Sequence, residues 1–227
     1  MNRLKKLIYQ NKKVQEAAVS IVRKEHILAN PNLYFECPKR KQNPKVFLRE
    51  EHLGNCQVLP CREDLLKQMP RHAVCAEVGV AEGYFSEQIL QTCSPERLYM
   101  IEYGKNYCDN LRKKFAAEIQ SGKIVILEGD SVEMLSSLPD NALDFVYLDA
   151  THDYKHPSME LSVCKDKVRG GGYIMGHDYT RFSLWEARQY GVIEAVNEFI
   201  VSNNYEMRYI TMDMLSSNSS YALVCKK

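Results

Sequence analysis

The sequence predicts an α/β fold built on a doubly wound, mostly parallel sheet of seven strands, preceded by a helical N-terminal extension. From residue 73 onward, short apolar runs alternate with amphipathic segments, which is typical of parallel strands covered by helices on both faces. A tight turn with two glycines, at 79 and 83, follows the first apolar run. The last two apolar runs, 205–211 and 220–226, predict an antiparallel hairpin at one edge of the sheet.

The elements follow from local patterns taken in chain order. Apolar residues at helical spacing predict an amphipathic helix over 3–28, and four prolines indicate a loop-rich connector over 29–60. A short helix over 61–70 ends at Pro70. Five strands then alternate with five helices; the strands are predicted at 73–79, 97–102, 123–129, 143–150 and 171–178, and the helices at 84–93, 105–121, 131–137, 156–168 and 188–202.

These patterns divide the chain into two parts. Residues 1–60 form a helical and loop-rich extension, predicted to serve as a lid or an oligomer contact, and residues 61–227 form the α/β domain. A homo-oligomer is one expectation, because the amphipathic N-terminal helix has no obvious partner within the chain. Trp185, the only tryptophan, lies in a segment that could be a substrate-facing flap or an ordinary packing anchor.

Composition gives only broad limits on function. The 227 residues are 45% apolar and 26% charged with a net charge of +1, which is ordinary for a soluble protein and gives no strong argument for nucleic acid or membrane binding. Residues 1–50, however, hold twelve Lys or Arg against four Asp or Glu, a net charge of +8. This basic arm is either a solvated surface or a face for an anionic substrate, a membrane or a partner subunit.

Cysteine usage and hydropathy predict a cytoplasmic protein. The eight cysteines show no C-x-x-C spacing, so buried free thiols are expected. Cys56 and Cys61 are close enough to suggest a disulfide or half of a metal site, but nothing pairs with them at zinc spacing. No apolar run approaches the ~20 residues of a transmembrane helix, and no signal peptide is expected.

The stretch CAEVGVAEG, from Cys75 to Gly83, predicts a ligand-binding turn. In a doubly wound sheet, ligands bind at the carboxyl ends of the strands, and this first strand ends at Glu77-Val78-Gly79. Gly79 and Gly83 permit backbone angles closed to other residues and a close approach of a ligand to the main chain. A purely structural strand-to-helix turn is the alternative interpretation of this stretch.

The next two strand ends carry groups suited to an adenosine. Glu102 ends the second strand about twenty residues beyond the glycines, where a carboxylate can accept the hydroxyl groups of a ribose. The third strand leads into Asp130 and Ser131, which could meet an adenine edge. A dinucleotide and S-adenosylmethionine both remain compatible with this arrangement.

Six ordered segments resemble the motifs of class I S-adenosylmethionine-dependent methyltransferases. They are EVGVAEG at 77–83, IE at 101–102, GDS at 129–131, LDATHDY at 148–154, GGGYIMGHDY at 170–179 and GVIEAVNEF at 191–199. The likeness covers about residues 73–225 and is greatest to the metal-dependent subgroup that includes sugar O-methyltransferases. It implies a Rossmann-like sheet and assigns residues 61–227 to a methyltransferase domain.

The resemblance also implies cofactor roles at the matching positions. Glu77, Gly79 and Gly83 would surround the methionine portion, with Ala81 where a third glycine is common. Glu102 would hold the ribose, and Asp130 with Ser131 the adenine. Asp149, at the end of the fourth strand, would complete the set of cofactor-binding residues in the order Glu77, Gly79, Ala81, Gly83, Glu102, Asp130, Ser131 and Asp149.

The ends of the fourth and fifth strands predict a site that activates an acceptor hydroxyl. A divalent metal can bind a hydroxyl, lower its pKa and fix its direction. Asp149 and Asp178 are the expected carboxylate ligands, with His177 where related enzymes have an acidic residue. Imidazole favours a transition metal over Mg²⁺. A helix cap at Asp178 and a hydrogen-bonded structural histidine at His177 are the alternatives.

His152 is the candidate general base, together with Asp149 as a catalytic residue. The family often has an acidic residue at the position of Thr151, and its absence here leaves the imidazole of His152 to titrate near neutral pH. His152 could instead orient the loop.

The resulting function is methyl transfer from S-adenosylmethionine to a hydroxyl of a small molecule, with a divalent metal as a second expected cofactor. A non-catalytic binding or scaffold protein of the same fold is one alternative. An NAD-linked oxidoreductase is another, although GVAEG lacks the G-x-G-x-x-G spacing. Methylation of nucleic acid bases is not favoured, because LDATHDY lacks the N/D-P-P-Y/F type of run, and a membrane partner is not expected. The acceptor itself carries no recognisable signature.

Overall fold

A computed structural model of the chain describes residues 43–183, 188–212 and 218–226. The predicted helix over 3–28, most of the basic arm and Trp185 lie outside these residues. Two compact units divide the chain, and the larger one comprises residues 43–181 and 190–227. In the smaller unit, β7 (Phe182–Ser183) and β8 (Arg188–Gln189) form a two-stranded antiparallel pair.

The larger unit is built on one eight-stranded sheet, and the predicted α/β class is confirmed. Its strands lie in the order β1-β9-β10-β6-β5-β2-β3-β4. The strands are β1 (Gln57–Leu59), β2 (Val74–Val78), β3 (Arg97–Glu102), β4 (Ile124–Glu128), β5 (Leu143–Leu148), β6 (Val168–Gly176), β9 (Tyr205–Thr211) and β10 (Tyr221–Cys225). All neighbouring pairs are parallel except those of β10 with β6 and with β9.

Most of the helices that connect these strands lie where they were predicted. The helix predicted over 188–202 begins only at Val192, because Arg188–Gln189 form β8, and a short helix, Glu50–Leu53, lies in the predicted connector. The bounds are α1 (Glu50–Leu53), α2 (Arg62–Leu66), α3 (Tyr84–Cys93), α4 (Lys105–Lys114), α5 (Ala116–Gln120), α6 (Ser131–Ser137), α7 (Lys155–Lys167) and α8 (Val192–Ser202). The single helix predicted over 105–121 is divided between α4 and α5 at Phe115, whose backbone leaves the helical region. No helix among the residues described is long and apolar enough to cross a membrane.

The sheet differs from the prediction at one edge. The segment Gln57–Leu59, expected to be part of a loop, pairs in parallel with β9 and adds an eighth strand. The predicted hairpin of β9 and β10 therefore does not end the sheet, and its expected edge position is wrong. A three-residue strand shows no periodicity of its own, so only its long-range pairing with β9 makes it a strand.

Apolar residues fill both faces of the sheet, which is why β5 is buried along its whole length. One core cluster includes Leu135, Leu161 and Val196, contributed by α6, α7 and α8. The other includes Leu66, Ile89 and Leu111, contributed by α2, α3 and α4. Two packed faces fix the strands rigidly, so the loops at their carboxyl ends hold defined positions.

Candidate functional site

A cavity of about 490 Å³ opens at the carboxyl ends of β2 to β5. It lies at the point where the strand order reverses, because β3 and β4 extend from one side of β2 and β5 from the other. Its lining includes seven residues of interest: Gly79, Ala81, Glu102, Asp130, Ser131, Asp149 and His156. Glu102 and Asp149, predicted from separate motifs, thus share one cleft.

The glycine turn brings the main chain against the end of β5. Gly79 has a φ of +83°, and its amide donates to the Ile101 carbonyl at 2.9 Å. A Cβ at this position would lie 2.6 Å from the Asp149 carbonyl carbon, which no real side chain tolerates. Only glycine therefore allows β2 and β5 to approach this closely at the cavity floor.

Glu102 fixes the shape of the turn. Its Oε2 accepts the Ala81 amide at 2.9 Å, and its Oε1 accepts the Gly104 amide at 2.7 Å. The first bond holds Ala81 in the left-handed region, with a φ of +49°. Each carboxylate oxygen retains a lone pair, so Glu102 can also accept the hydroxyl groups of a ribose in the cavity.

Glu77 and Gly83 lie beside the cavity and are not part of its lining. A Cβ on Gly83 would lie 2.7 Å from the Leu111 side chain, so this glycine permits α3 to pack on α4. Glu77 is 2% exposed and accepts a hydrogen bond from the Ser86 hydroxyl. Burial raises the pKa of Glu77 to about 8, so its carboxyl group is protonated at neutral pH.

The predicted adenine-binding pair is tied to α7. Asp130 caps α6, with Oδ1 accepting the Val132 and Glu133 amides at 3.0 and 3.1 Å. Its Oδ2 lies 3.3 Å from His156 Nε2. These cap bonds, chiefly the one from Glu133, and the His156 ring keep the pKa of Asp130 below its ordinary value. Asp130 is therefore an ionised acceptor at the cavity wall.

The Ser131 side chain is buried and also contacts α7. Its hydroxyl donates to Glu160, which is only 1% exposed. Burial raises the pKa of Glu160 to about 7. Since His156 and Glu160 lie one turn apart on α7, the two contacts hold the whole 129–131 loop against that helix.

Asp149, His152 and Asp178 form a compact cluster next to the cavity. One ligand atom from each lies within 4.8 Å of the others. His152 Nε2 lies 2.7 Å from Asp178 Oδ2 and 3.7 Å from Asp149 Oδ1. The cluster thus joins the ends of β5 and β6, as the sequence predicted for the two aspartates.

Neighbouring residues hold the cluster in place. The Tyr190 ring stacks on His152 with centroids 4.5 Å apart, and the Gly191 amide donates to the His152 carbonyl at 2.7 Å. Asp178 has a φ of +58°, and its Oδ1 accepts the Asn218 side-chain amide at 2.6 Å. The left-handed backbone turns Asp178 back toward β5 after the strand has ended.

Charge balance makes the cluster cationic at its centre. Burial alone would lower the pKa of His152, but the carboxylates of Asp149 and Asp178 outweigh it and raise the pKa to about 9. Burial opposes ionisation of Asp178 as well, yet His152, His177 and Asn218 hold the pKa of Asp178 below its ordinary value. At neutral pH the imidazolium of His152 therefore lies between two carboxylates.

His177 borders this cluster without being one of its three members. Its Nδ1 lies 2.9 Å from the Ser220 hydroxyl, which is itself 2.9 Å from the Tyr147 hydroxyl. Its Nε2 is 3.9 Å from Asp178 Oδ1. The histidine that converges with the two aspartates is His152, so the predicted metal set and the observed cluster differ in one residue.

Sequence reasoning missed four residues of this region: Arg62, His156, Tyr190 and Asn218. The His156–Glu160 pair at i and i+4 on α7 is a signal that could have been read, because it places both side chains on one helix face. Arg62, Tyr190 and Asn218 are distant from the strand ends in sequence and carry no motif. Only tertiary folding places them here.

Comparison with known proteins agrees with this geometry. Residues 76–179, a little under half of the chain, match the model of a methyltransferase domain family. No curated protein sequence matches the chain.

Solved structures share the fold. The pyocyanin biosynthetic protein PhzM has 16% identity and a TM-score of 0.58 over 72% of this chain, which spans 54% of PhzM. A SAM-dependent methyltransferase from Aquifex aeolicus has 14% identity and a TM-score of 0.55, covering 71% of this chain and 88% of its own. The tRNA methyltransferase TrmK of B. subtilis has 13% identity and a TM-score of 0.56, covering 74% and 67%.

At these identities the structural likeness shows the fold alone, which is the Rossmann-like methyltransferase fold. The family match over residues 76–179 agrees with that fold.

Proposed function

We propose that this protein transfers the methyl group of S-adenosylmethionine to a hydroxyl of a small molecule, and that a divalent cation assists. The observation that supports this most directly is the place of Asp149. It lines the cofactor-sized cavity and also belongs to the acidic cluster with His152 and Asp178. A methyl donor in the cavity would therefore lie beside groups that can hold an acceptor oxygen.

Cofactor roles follow from the positions of the lining residues. Glu102 would accept hydrogen bonds from the ribose hydroxyls, and the ionised Asp130 would accept one from the amino group of adenine. The turn at Gly79, which lines the cavity, would lie under the methionine portion. Methyl transfer is an in-line displacement, so the chief task of the residues is to align donor and acceptor.

The cluster has donors that fit a divalent cation. Two carboxylates and one imidazole converge within 4.8 Å, and this mixture of oxygen and nitrogen suits Mn²⁺, Fe²⁺ or Zn²⁺ better than Mg²⁺. The ligands we propose are Asp149, His152 and Asp178, with His152 in the place first expected for His177. When bound, such an ion would lower the pKa of the acceptor hydroxyl.

We propose a role for His152 that differs from the general base first expected. The carboxylates of Asp149 and Asp178 raise its pKa to about 9, so without a cation the ring carries its proton at neutral pH. As an imidazolium it holds the two carboxylates together, and as a neutral imidazole it could ligate a cation. Cation binding would therefore release a proton and strengthen as the pH rises.

Calorimetry and a transfer assay test the proposal together. We expect the purified protein to bind S-adenosylhomocysteine and not NAD. We also expect it to transfer a labelled methyl group to some member of a panel of hydroxylated small molecules. Transfer should be lost in EDTA and restored by added Mn²⁺. Binding of NAD alone would contradict the cofactor, and transfer that is unchanged by EDTA would contradict the cation.

A non-catalytic protein of the same fold would behave differently. It could bind S-adenosylhomocysteine, but it would transfer no methyl group under any metal condition. Transfer to tRNA in place of small molecules would retain the cofactor assignment and overturn the acceptor class.

A further inference from the structure

The methionine end of the proposed cofactor poses an electrostatic problem. That end carries an ammonium and a carboxylate at neutral pH, and it would lie near Asp149 at the end of β5. An anionic carboxylate beside an ionised aspartate is unfavourable in a partly desolvated cleft unless a cation lies close by. Some basic side chain at these strand ends should therefore offset the charge.

Arg62 supplies a cation at this place. It is the first residue of α2, and its guanidinium carbon lies 4.8 Å from the centre of the Phe85 ring. Phe85 is the second residue of α3, directly after the glycine turn. The turn and the guanidinium are therefore neighbours, although Arg62 comes from outside the motifs.

The charge of Arg62 reaches the acidic end of the site. The guanidinium interacts with the Tyr147 hydroxyl and, electrostatically, with Asp149. It also acts on the buried Glu77 at the end of β2. The side chain is 29% exposed and pairs with Glu63 at 3.9 Å; it lies outside the cavity lining, so it would meet a ligand at the edge of the cavity.

Other basic side chains near the cavity have different positions. Lys114 lies outside the glycine turn, with its Nζ 3.0 Å from the Glu82 carbonyl and 3.1 Å from the Glu87 carboxylate. His156 lies at the adenine end, beside Asp130. The His152 imidazolium also acts on Asp149, but it is shared with Asp178. Arg62 is a second cation that acts on Asp149, and its planar fork of donors matches a carboxylate.

We infer that Arg62 binds the carboxylate of the cofactor's methionine moiety. This inference rests on the proposed function, since it presumes that S-adenosylmethionine occupies the cavity. The contact with the Phe85 ring restricts the position of the guanidinium before a ligand arrives. The residue selects a ligand with a carboxylate over an adenosine that lacks one.

Isothermal titration calorimetry with two ligands tests the inference. The first is S-adenosylhomocysteine, and the second is its decarboxylated analogue, which keeps the adenosine and the amine. We expect Arg62→Gln to weaken binding of S-adenosylhomocysteine by about 10- to 100-fold, the range of one charge-assisted pair. Its affinity for the decarboxylated analogue should equal that of the unaltered protein.

Two further variants control the experiment. Arg71→Gln removes an exposed arginine that bonds Ser94 at the opposite end of the sheet, and it should bind both ligands as the unaltered protein does. Arg62→Lys keeps the charge and loses the fork, so it should show an intermediate loss for S-adenosylhomocysteine only. This variant also serves if Arg62→Gln fails to fold.

The outcomes separate the inference from the proposed function. If the unaltered protein binds neither ligand, the proposed function fails. If it binds S-adenosylhomocysteine and both Arg62 variants bind it equally well, only the inference fails. An equal loss for both ligands would also overturn it, because Arg62 would then support the fold of the site and not the carboxylate.

Discussion

His152 Nε2 lies 2.7 Å from Asp178 Oδ2, and this pair joins the loop after β5 to the end of β6. Asp149 flanks the same imidazole at 3.7 Å. Because both carboxylates face one nitrogen, the proposed function has the three side chains act as a unit that exchanges a proton for a cation. The unit touches the cofactor cavity only through Asp149.

Removal of one carboxylate should therefore separate catalysis from cofactor binding. We expect Asp178→Asn to reduce methyl transfer by about 100-fold or more, in the range of a lost catalytic group. The dissociation constant of S-adenosylhomocysteine should change less than about twofold, because Asp178 is not part of the cavity lining. Steady-state transfer rates and calorimetry measure the two effects.

Asp109→Asn is the matched control for this prediction. Asp109 is an acidic residue on α4 that pairs with Arg112 at 3.0 Å. Its substitution should leave both the transfer rate and the affinity for S-adenosylhomocysteine unchanged. Equal losses of affinity and rate in Asp178→Asn would show that the cluster belongs to the cofactor site itself.

The left-handed turn at Gly79 should be far more sensitive to substitution than its φ alone implies. Gly79→Ala would place a methyl group 2.6 Å from the Asp149 carbonyl carbon, so strands β2 and β5 would have to move apart. We expect a loss of about 3 kcal/mol or more in the free energy of unfolding, together with loss of cofactor binding. Urea denaturation and calorimetry provide the measurements.

Gly122 offers a closely matched comparison. Its φ of +76° is nearly the same, but no atom lies within 4 Å of an added Cβ. Gly122→Ala should therefore cost only the backbone strain of about 1 kcal/mol and leave binding intact. Similar losses in the free energy of unfolding for the two variants would mean that crowding at the end of β5 does not contribute to the loss.

The sequence predicted the strands and their ends well, because apolar runs and glycine turns are local signals. The bounds of β3, α3 and α6 agree with the prediction. The meeting of Glu102 and Asp149 in one cleft also follows from strand order alone.

Side-chain direction beyond a strand end could not be predicted in the same way. His177 follows β6 and was expected in the cluster, but its Nδ1 bonds Ser220 and its Nε2 stays 3.9 Å from Asp178. The left-handed backbone of Asp178 and the contact of Tyr190 with His152 decide which histidine faces the aspartates. Both depend on packing between segments distant in sequence. The position of Arg62 near the strand ends could not be predicted from the sequence for the same reason.

Glu102 should be needed for the turn as well as for the ribose. In Glu102→Gln, the amide nitrogen would face a backbone N–H of Ala81 or Gly104, and one of the two bonds would be lost. We expect the affinity for S-adenosylhomocysteine to fall about 10-fold or more, as measured by calorimetry.

Glu128→Gln tests whether position alone explains that loss. Glu128 is the register partner of Glu102 on β4, and it pairs with Arg112 at 2.8 Å outside the cavity. We expect affinity to be unchanged in this variant. Equal losses in both variants would indicate a general effect of charge at the strand ends.

Glu160 should make stability depend on pH. Its pKa is about 7 in the folded protein, against an ordinary value near 4.5 in the unfolded chain. Between these values the folded state retains a proton that the unfolded state releases, so the free energy of unfolding falls as the pH rises through this window. The total loss is on the order of 3 kcal/mol and is complete above about pH 7.

Glu160→Gln should remove this loss, because glutamine does not ionise and its carbonyl oxygen can still accept the Ser131 hydroxyl. The variant should match the unaltered protein at pH 5 and exceed it by about 3 kcal/mol at pH 8, measured by urea denaturation at each pH. The exposed Glu133→Gln on α6 should follow the unaltered protein at both pH values. A constant difference between Glu160→Gln and the unaltered protein would mean that the buried carboxyl is already ionised at pH 5. The Ser131 hydroxyl would then donate to a carboxylate anion. A charged hydrogen bond, and not one to a neutral carboxylic acid, would attach the 129–131 loop to α7.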